Sequence, residues 1–231
     1  MNARQPDNSL PLLIVTDLDG TLLDHHSYSF EKALEAIERL RELHIPLIFN
    51  TSKTYAEIRP LANEMGINDP FIVENGSAIF IPRKKFALPQ AGEAFSQDFY
   101  VVELGLQHQV VIDRIAPLRE LFQFRGMQEI EDSDMIQLTG LSEEQLAASR
   151  KRRYSEPLIW EDSDSALEEF TEAVVNAGLR ILEGGRFHHV LGNTDKGQAM
   201  DRLRAIYKHA FGTDFTVIAL GDSANDIEML V

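Results

Sequence analysis

Residues 12–23 read LLIVTDLDGTLL, and this stretch constrains the chain more than any other. Leu12 to Val15 is a short apolar run suited to a strand buried on both faces of a parallel sheet. It leads into Asp17-Leu18-Asp19-Gly20-Thr21, which places two carboxylates two residues apart at the carboxyl end of the strand. Open α/β sheets bind their ligands at that edge. Side chains two apart on an extended segment point the same way. Like charges so placed repel unless a cation or a shared proton compensates them. Taken alone, D-G is also a common turn signal. The rest of the chain decides between the two readings.

After the acidic turn, Ser29 is an N-cap for a helix to about Leu43, with Phe30, Ala33, Leu34, Ile37 and Leu40 on one face. Ile45 to Phe49 is a second buried strand and completes a βαβ unit. It ends in Asn50-Thr51-Ser52-Lys53, just before a T-x-x-E capping box, Thr54 with Glu57, on a helix that closes at Gly66. A hydroxyl and a lysine between a strand end and a helix start make good anion-binding ground. Phe71 to Val73 is a third strand, followed by Glu74-Asn75-Gly76 and a returning hairpin strand, Ser77 to Pro82.

The character changes near Phe86, and up to about Leu182 no acidic motif follows a strand. Candidate strands here are Tyr100 to Glu103, Leu158 to Glu161 and Leu179 to Leu182, with helices near Val110 to Phe122, Glu143 to Arg152 and Ala166 to Ala177. Ser142 with Gln145 and Ser165 with Glu168 read as capping boxes. This block is expected to be an inserted second domain, with Trp160 in its core. The first architecture resumes after Gly192, where Asn193 or Thr194 caps a helix carrying Lys196 in its first turn. A helix N-terminus disfavours a lysine unless an anion is also there. Thr216 to Leu220 is a further buried strand and runs into Gly221-Asp222-Ser223-Ala224-Asn225-Asp226. The chain stops at Val231 part-way into a helix, so another strand and helix are expected beyond it.

Three strand ends therefore supply Asp17 and Asp19, Thr51 and Lys53, and Asp222, Asn225 and Asp226, while a helix start supplies Lys196. Parallel neighbours would bring these groups to one rim. Carboxylates without thiolates or clustered histidines favour a hard cation such as Mg²⁺. Lysine, hydroxyl and helix N-termini suit a phosphoryl group, whose transfer depends on positioning and positive charge. One aspartate is free to attack phosphorus and the other to act as acid and then base.

Composition narrows the partners. With 22 basic against 37 acidic residues the net charge is −15, so nucleic acid and anionic membrane are poor partners. The chain has no cysteine, which excludes disulfide and thiolate chemistry. No signal-peptide pattern and no long apolar run occur, and a cytoplasmic monomer or homodimer is expected.

The motif Asp17-Leu18-Asp19-Gly20-Thr21 together with Gly221 to Asp226 resembles the first and fourth motifs of the haloacid dehalogenase (HAD) superfamily of phosphotransferases. Thr51 and Lys196 stand where its second and third motifs belong. The resemblance implies an α/β fold: a HAD-like Rossmannoid parallel-sheet core, residues 1–85 and 186–231, with an inserted α+β cap of C2 type, residues 86–185. A closer resemblance is to mannosyl-3-phosphoglycerate phosphatases. It is carried by Thr51 to Thr54, Glu74 to Gly76, Thr139 to Ser142, RRYSEP at 152–157, LIWEDSD at 158–164 and GGRFHH at 184–189.

By that resemblance Asp17 is the nucleophile that becomes an aspartyl phosphate, and Asp19 is the acid and then the base. Asp17, the main-chain carbonyl of Asp19 and Asp222 would hold Mg²⁺, with Asn225 and Asp226 in support. Thr51 and Lys196 would grip the phosphoryl oxygens. Lys53, Glu74, Asn75, Arg186, His188 and the segment Arg152 to Glu156 would bind the phosphorylated sugar-glycerate substrate. The expected reaction is hydrolysis of mannosyl-3-phosphoglycerate to mannosylglycerate, a compatible solute. The alternatives are a glucosyl-3-phosphoglycerate or sugar-phosphate phosphatase, a phosphomutase of the phosphomannomutase type, and a non-catalytic binding module.

Overall fold

The computed structural model of the chain describes residues 11–25, 27–184 and 187–231. Along the chain the first elements are β1 (Leu12–Thr16), α1 (Leu34–Glu42), β2 (Leu47–Asn50), α2 (Tyr55–Glu64), β3 (Phe71–Val73), β4 (Ala78–Pro82), β5 (Glu93–Ala94) and β6 (Phe99–Glu103). Then come α3 (His108–Ile115), β7 (Phe124–Gly126), α4 (Asp132–Thr139), α5 (Glu143–Ser149), β8 (Ser155–Trp160), α6 (Asp164–Asn176), β9 (Arg180–Gly184) and β10 (Phe187–Leu191). The chain closes with α7 (Lys196–Phe211), β11 (Thr216–Leu220) and the short α8 (Ile227–Leu230).

Seven strands form one sheet in the order β11-β1-β2-β3-β4-β6-β5. The first four are parallel, and β4, β6 and β5 add an antiparallel flank. Side chains alternate between the two faces of the sheet. Leu13, Val15, Ile48 and Ile72 therefore pack with Leu203 and Tyr207 of α7, whereas Ile14, Phe49 and Phe71 pack with Ile37 of α1 and Ile58 of α2. Helices on both faces explain why β1 to β3 read as unbroken apolar runs. Thr54 and Glu57 form the expected capping box.

The other four strands make an antiparallel sheet, β7-β8-β10-β9. Val111 and Ile115 of α3 and Phe170 and Val174 of α6 cover one face, where Trp160 packs on Phe122 and Phe170. Met127, Met135 and Leu146 form a smaller cluster against Ile159 and Phe187. The chain enters and leaves this unit through touching connections: a Cβ on Gly192 would come within 2.8 Å of the Leu106 amide nitrogen. Only a residue without a side chain permits that approach.

Several expectations need correction. Phe99–Glu103 pairs with β4 in the large sheet, and Phe187–Leu191 lies in the small one. The sheets thus exchange after residue 103 and again after residue 191, both later than residues 86 and 186. Thr216–Leu220 reads as a buried strand but pairs only with β1 among the described residues, so Ile218 and Leu220 on this edge are exposed. The caps of α6 and α7 are Ser163 and Asp195, whose side chains accept the Ala166 and Gln198 amides. Strands β5 and β7 and helix α4 are too short or too weakly periodic to announce themselves.

Candidate active site

The carboxyl ends of β1, β2 and β11 and the start of α7 converge on one rim. Lys196, the first residue of α7, is fully buried and donates to Asp17 Oδ1 and to Asp226 Oδ1, both at 2.6 Å. An ammonium at a helix N-terminus is unfavourable on its own, and two carboxylates offset the dipole and the desolvation. The other oxygen of Asp226 accepts the amides of Asp222 and Ser223 at 3.1 and 3.0 Å and the Ser223 hydroxyl at 3.1 Å. Asp226 is therefore saturated and holds the loop after β11 in shape. Burial pushes the Asp17 carboxyl up to about 6; Lys196 opposes that rise, and the charges of Asp226 and Asp19 add to it.

Asp19 forms an ion pair through Oδ2 with Lys53 at 2.9 Å, while its Oδ1 is buried without a hydrogen-bond partner. Burial works against the Lys53 charge, but Asp19 and Glu57 outweigh it and raise the lysine above its ordinary value. Tyr28 lies 5.3 Å from the same ammonium with its ring facing it. Asp222 accepts the Thr21 hydroxyl at 3.2 Å. A Cβ on Gly20, whose φ is +84°, would sit 2.4 Å from Asp222 Oδ2, so glycine is what lets this carboxylate approach the first motif.

These groups open into a cleft of about 450 Å³ between the two sheets. The large-sheet side contributes Asp17, Asp19, His25, Tyr28, Ser52, Lys53, Glu57, Asp222, Ser223 and Asn225. The small-sheet side contributes Met127, Thr139, Leu141, Arg152, Pro157, Phe187 and His189. Arg152 donates to the Ser52 carbonyl at 2.8 Å, which anchors its guanidinium on the loop that carries Lys53.

The donor set suits a hard divalent cation. Oxygens of Asp17, Asp222 and Asp226 lie within 4.8 Å of one another. Among the described residues, Asp17, Asp19, Glu57, Asp222 and Asp226 stand against Lys53, Arg152 and Lys196 in and directly beneath the cleft. Since Asp226 is already satisfied, Asp17 and Asp222 are the side chains free to ligate such an ion.

Other residues expected at the site lie elsewhere. Glu74 does not face the cleft: its buried carboxylate accepts the amides of Arg153, Tyr154 and Ser155 at 3.0, 3.1 and 2.9 Å and the Ser155 hydroxyl at 2.7 Å. It ties the large sheet to the segment that carries Arg152. Asn75 accepts from the Asn225 amide at 2.9 Å and is likewise buried off the cleft. Glu156 is buried against His108 at 2.5 Å and the Met127 amide at 2.8 Å. Thr51 is fully buried, and its hydroxyl accepts the Lys53 amide at 3.2 Å. His188 lies on the strand face that does not line the cleft, and Arg186 is outside the described residues. His189 and Tyr28 line the cleft and were not singled out by residue type alone; the alternation of β10 puts Phe187 and His189 on one side.

The fold and the site define a class, and comparison with known proteins agrees with it. Residues 14–98 match the family model described as haloacid dehalogenase-like hydrolase. A Persephonella marina protein named glucosyl-3-phosphoglycerate/mannosyl-3-phosphoglycerate phosphatase is 35% identical over 222 residues, covering 95% of this chain and 81% of the relative. A Methanococcoides burtonii protein of the same name is 37% identical over 220 residues, covering 94% and 80%. A solved HAD-superfamily phosphatase from Bacteroides thetaiotaomicron, 15% identical, superposes with a TM-score of 0.67 over 99% of this chain and 84% of its own. The chain belongs to the mannosyl-3-phosphoglycerate phosphatase family of HAD-like hydrolases. It is a phosphoric monoester hydrolase. Among the described residues no helix is long and apolar enough to cross a membrane.

Proposed function

We propose that the protein hydrolyses the phosphate ester of mannosyl-3-phosphoglycerate, with Mg²⁺ as its cofactor. The observation that carries this reading is a row of charges from the two sheets in one cleft: Lys53 is paired with Asp19 at 2.9 Å, and Arg152 is held on the carbonyl of the neighbouring Ser52 at 2.8 Å. A phosphoglycerate ester has two anionic groups. Lys53 and Arg152 can hold the glycerate carboxylate next to a phosphoryl group that faces the aspartates. The residues of the small sheet, from about 106 to 191, then act as the cap that encloses the glycosyl part.

In this mechanism an oxygen of Asp17 attacks phosphorus as the bond to the glycerate oxygen breaks, and Asp19 delivers its proton to that oxygen. Asp19, now a carboxylate, takes a proton from water. The water oxygen attacks phosphorus and the bond to Asp17 breaks, which restores the free carboxylate. Lys196 keeps Asp17 ionised and oriented, and Asp226 keeps Lys196 in place. Bound Mg²⁺, held by Asp17 and Asp222, would neutralise phosphoryl charge.

Glucosyl-3-phosphoglycerate is the second reading, favoured by the double name of both relatives. The test is phosphate release from mannosyl- and glucosyl-3-phosphoglycerate, 3-phosphoglycerate and p-nitrophenyl phosphate, with Mg²⁺ and with excess chelator. The expected result is highest kcat/KM on the mannosyl ester and none with chelator. Turnover only of the simple esters would overturn the substrate reading, and full activity in chelator would overturn the metal.

A further inference from the structure

Among the described residues lining the cleft, two buried side-chain atoms lack a hydrogen-bond partner, Asp19 Oδ1 and His189 Nδ1. The first belongs to the proposed acid. The second is used by nothing in that chemistry, although a buried ring nitrogen without a partner is costly enough to need a reason. His189 is 6% exposed and sits in β10 opposite Pro157, with Phe187 on the same face and Gly184 against the ring edge.

We propose that His189 reads the neutral glycosyl part of the substrate, its ring hydrogen-bonding a sugar hydroxyl from the small-sheet wall. This deepens the functional reading above and rests on it. The division of labour in the cleft supports it. The phosphoryl end faces Asp17, Asp19 and Lys196, and the adjacent Lys53 and Arg152 suit the carboxylate. The remaining part of a glycosyl phosphoglycerate is uncharged. The small-sheet wall that is left for it mixes apolar Met127, Leu141, Pro157 and Phe187 with the uncharged polar Thr139, Ser149 and His189. Apolar walls with a few placed polar groups are the usual surroundings of a bound neutral ligand.

The imidazole is also the right kind of group. Burial, and then the charges of Arg152, His188 and Lys196, hold it down to about 3, so it is neutral in any working buffer. A neutral ring carries one donor and one acceptor, which matches a hydroxyl that can do either. It has no charge with which to compete for the phosphate or the carboxylate. His189 is thus a specificity residue and not a member of the reacting set.

The experiment compares wild type, His189→Ala and His189→Asn on mannosyl- and glucosyl-3-phosphoglycerate and on 3-phosphoglycerate and p-nitrophenyl phosphate, with melting curves for each protein. His189→Ala should lose about ten- to thirtyfold in kcat/KM on the glycosylated esters, mostly through KM, and less than about twofold on the other two. His189→Asn, whose amide can reach near the Nδ1 position, should recover part of the loss. An equal loss on all four esters, or no loss on any, overturns the proposal. Should His189→Ala fail to fold, a His189→Leu variant, which keeps bulk but cannot hydrogen-bond, with the same KM ratio between glycosylated and simple esters as wild type overturns it too. A wild-type protein inactive on both glycosylated esters overturns the functional reading itself. Wild-type activity on them without the His189 effect overturns only this inference.

Discussion

The two walls of the cleft are built on opposite plans. On the large-sheet wall the key charges are locked to one another: Lys196 spans Asp17 and Asp226, Lys53 holds Asp19, and three donors fix the far side of Asp226. On the small-sheet wall the described lining is mostly uncharged, and Arg152, its charged side chain among the described residues, is held by carbonyls of Ser149 and Ser52. A wall of interlocked charges is preorganised for one kind of chemistry and tolerates little change. A wall of uncharged contacts can be altered residue by residue, with moderate effects on what is bound. The contrast assigns turnover to the first wall and selectivity to the second.

The comparison is most sharply tested at Asp17. Asp17→Asn should keep the fold and lower kcat by about a thousandfold or more on every ester, large or small, because an amide cannot replace the attacking carboxylate. A variant that loses activity only on glycosylated esters would break the assignment. Next in size is Lys196→Met, which strands two buried carboxylates. It should cost about 3–5 kcal/mol, read as a fall in melting temperature of roughly 10 °C, and should also abolish activity. A Lys196→Met protein as stable as wild type would show that the charges are not interlocked.

Between the walls lies Glu74, and its effect should be smaller and of a different kind. Glu74→Gln puts an amide group among the donors of Arg153, Tyr154 and Ser155. It loosens the segment that presents Arg152, so KM for the glycosylated esters should rise about tenfold with little change for p-nitrophenyl phosphate. A uniform loss would make the tie part of the first wall.

The last effect concerns acid and is read in stability alone. His189 is held near 3 in the folded protein against an ordinary 6.5, so below pH 6.5 the unfolded chain takes up a proton that the folded chain refuses. The stability tied to the neutral ring is complete above pH 6.5 and is lost as the pH falls toward 3, by at most about 1.4 kcal/mol per unit. Urea unfolding at pH 7.5 and 4.5 should show His189→Gln losing less stability on acidification than wild type. Equal losses would mean that the ring is not buried neutral.

The same contrast governs what the sequence reveals. The acidic turns of the large sheet are legible because each follows directly on an apolar run, and a strand end is enough to fix where its carboxylates lie. Direction is harder to read. Glu74 and Asn75 look like binding groups, yet their φ values of +48° and +56° turn the chain so that Glu74 reaches the small unit and Asn75 reaches Asn225. Glu156 is aimed at His108 by the phase of β8, and His189 is aimed at the cleft by the phase of β10. A period of two can be read from sequence, but which phase meets the cleft depends on how the sheets pack. The exposure of β11 is of the same sort, since an apolar strand looks alike at the centre and at the edge of a sheet.

The ion pair between Lys196 and Asp17 also has a consequence for how the molecule comes into being. The two residues are 179 positions apart, and β1 pairs with β11 across a similar span, Leu12 with Thr216. Contacts between such distant parts of a chain close late, after the loop entropy has been met by everything in between. A chain emerging from a ribosome presents Asp17 long before the lysine that neutralises it exists. The intervening unit, whose four strands among the described residues pair only with one another, is free to take shape first. During refolding, helical signal and the environment of Trp160 should therefore return ahead of turnover, which makes catalytic activity a clock for the final closure of the chain.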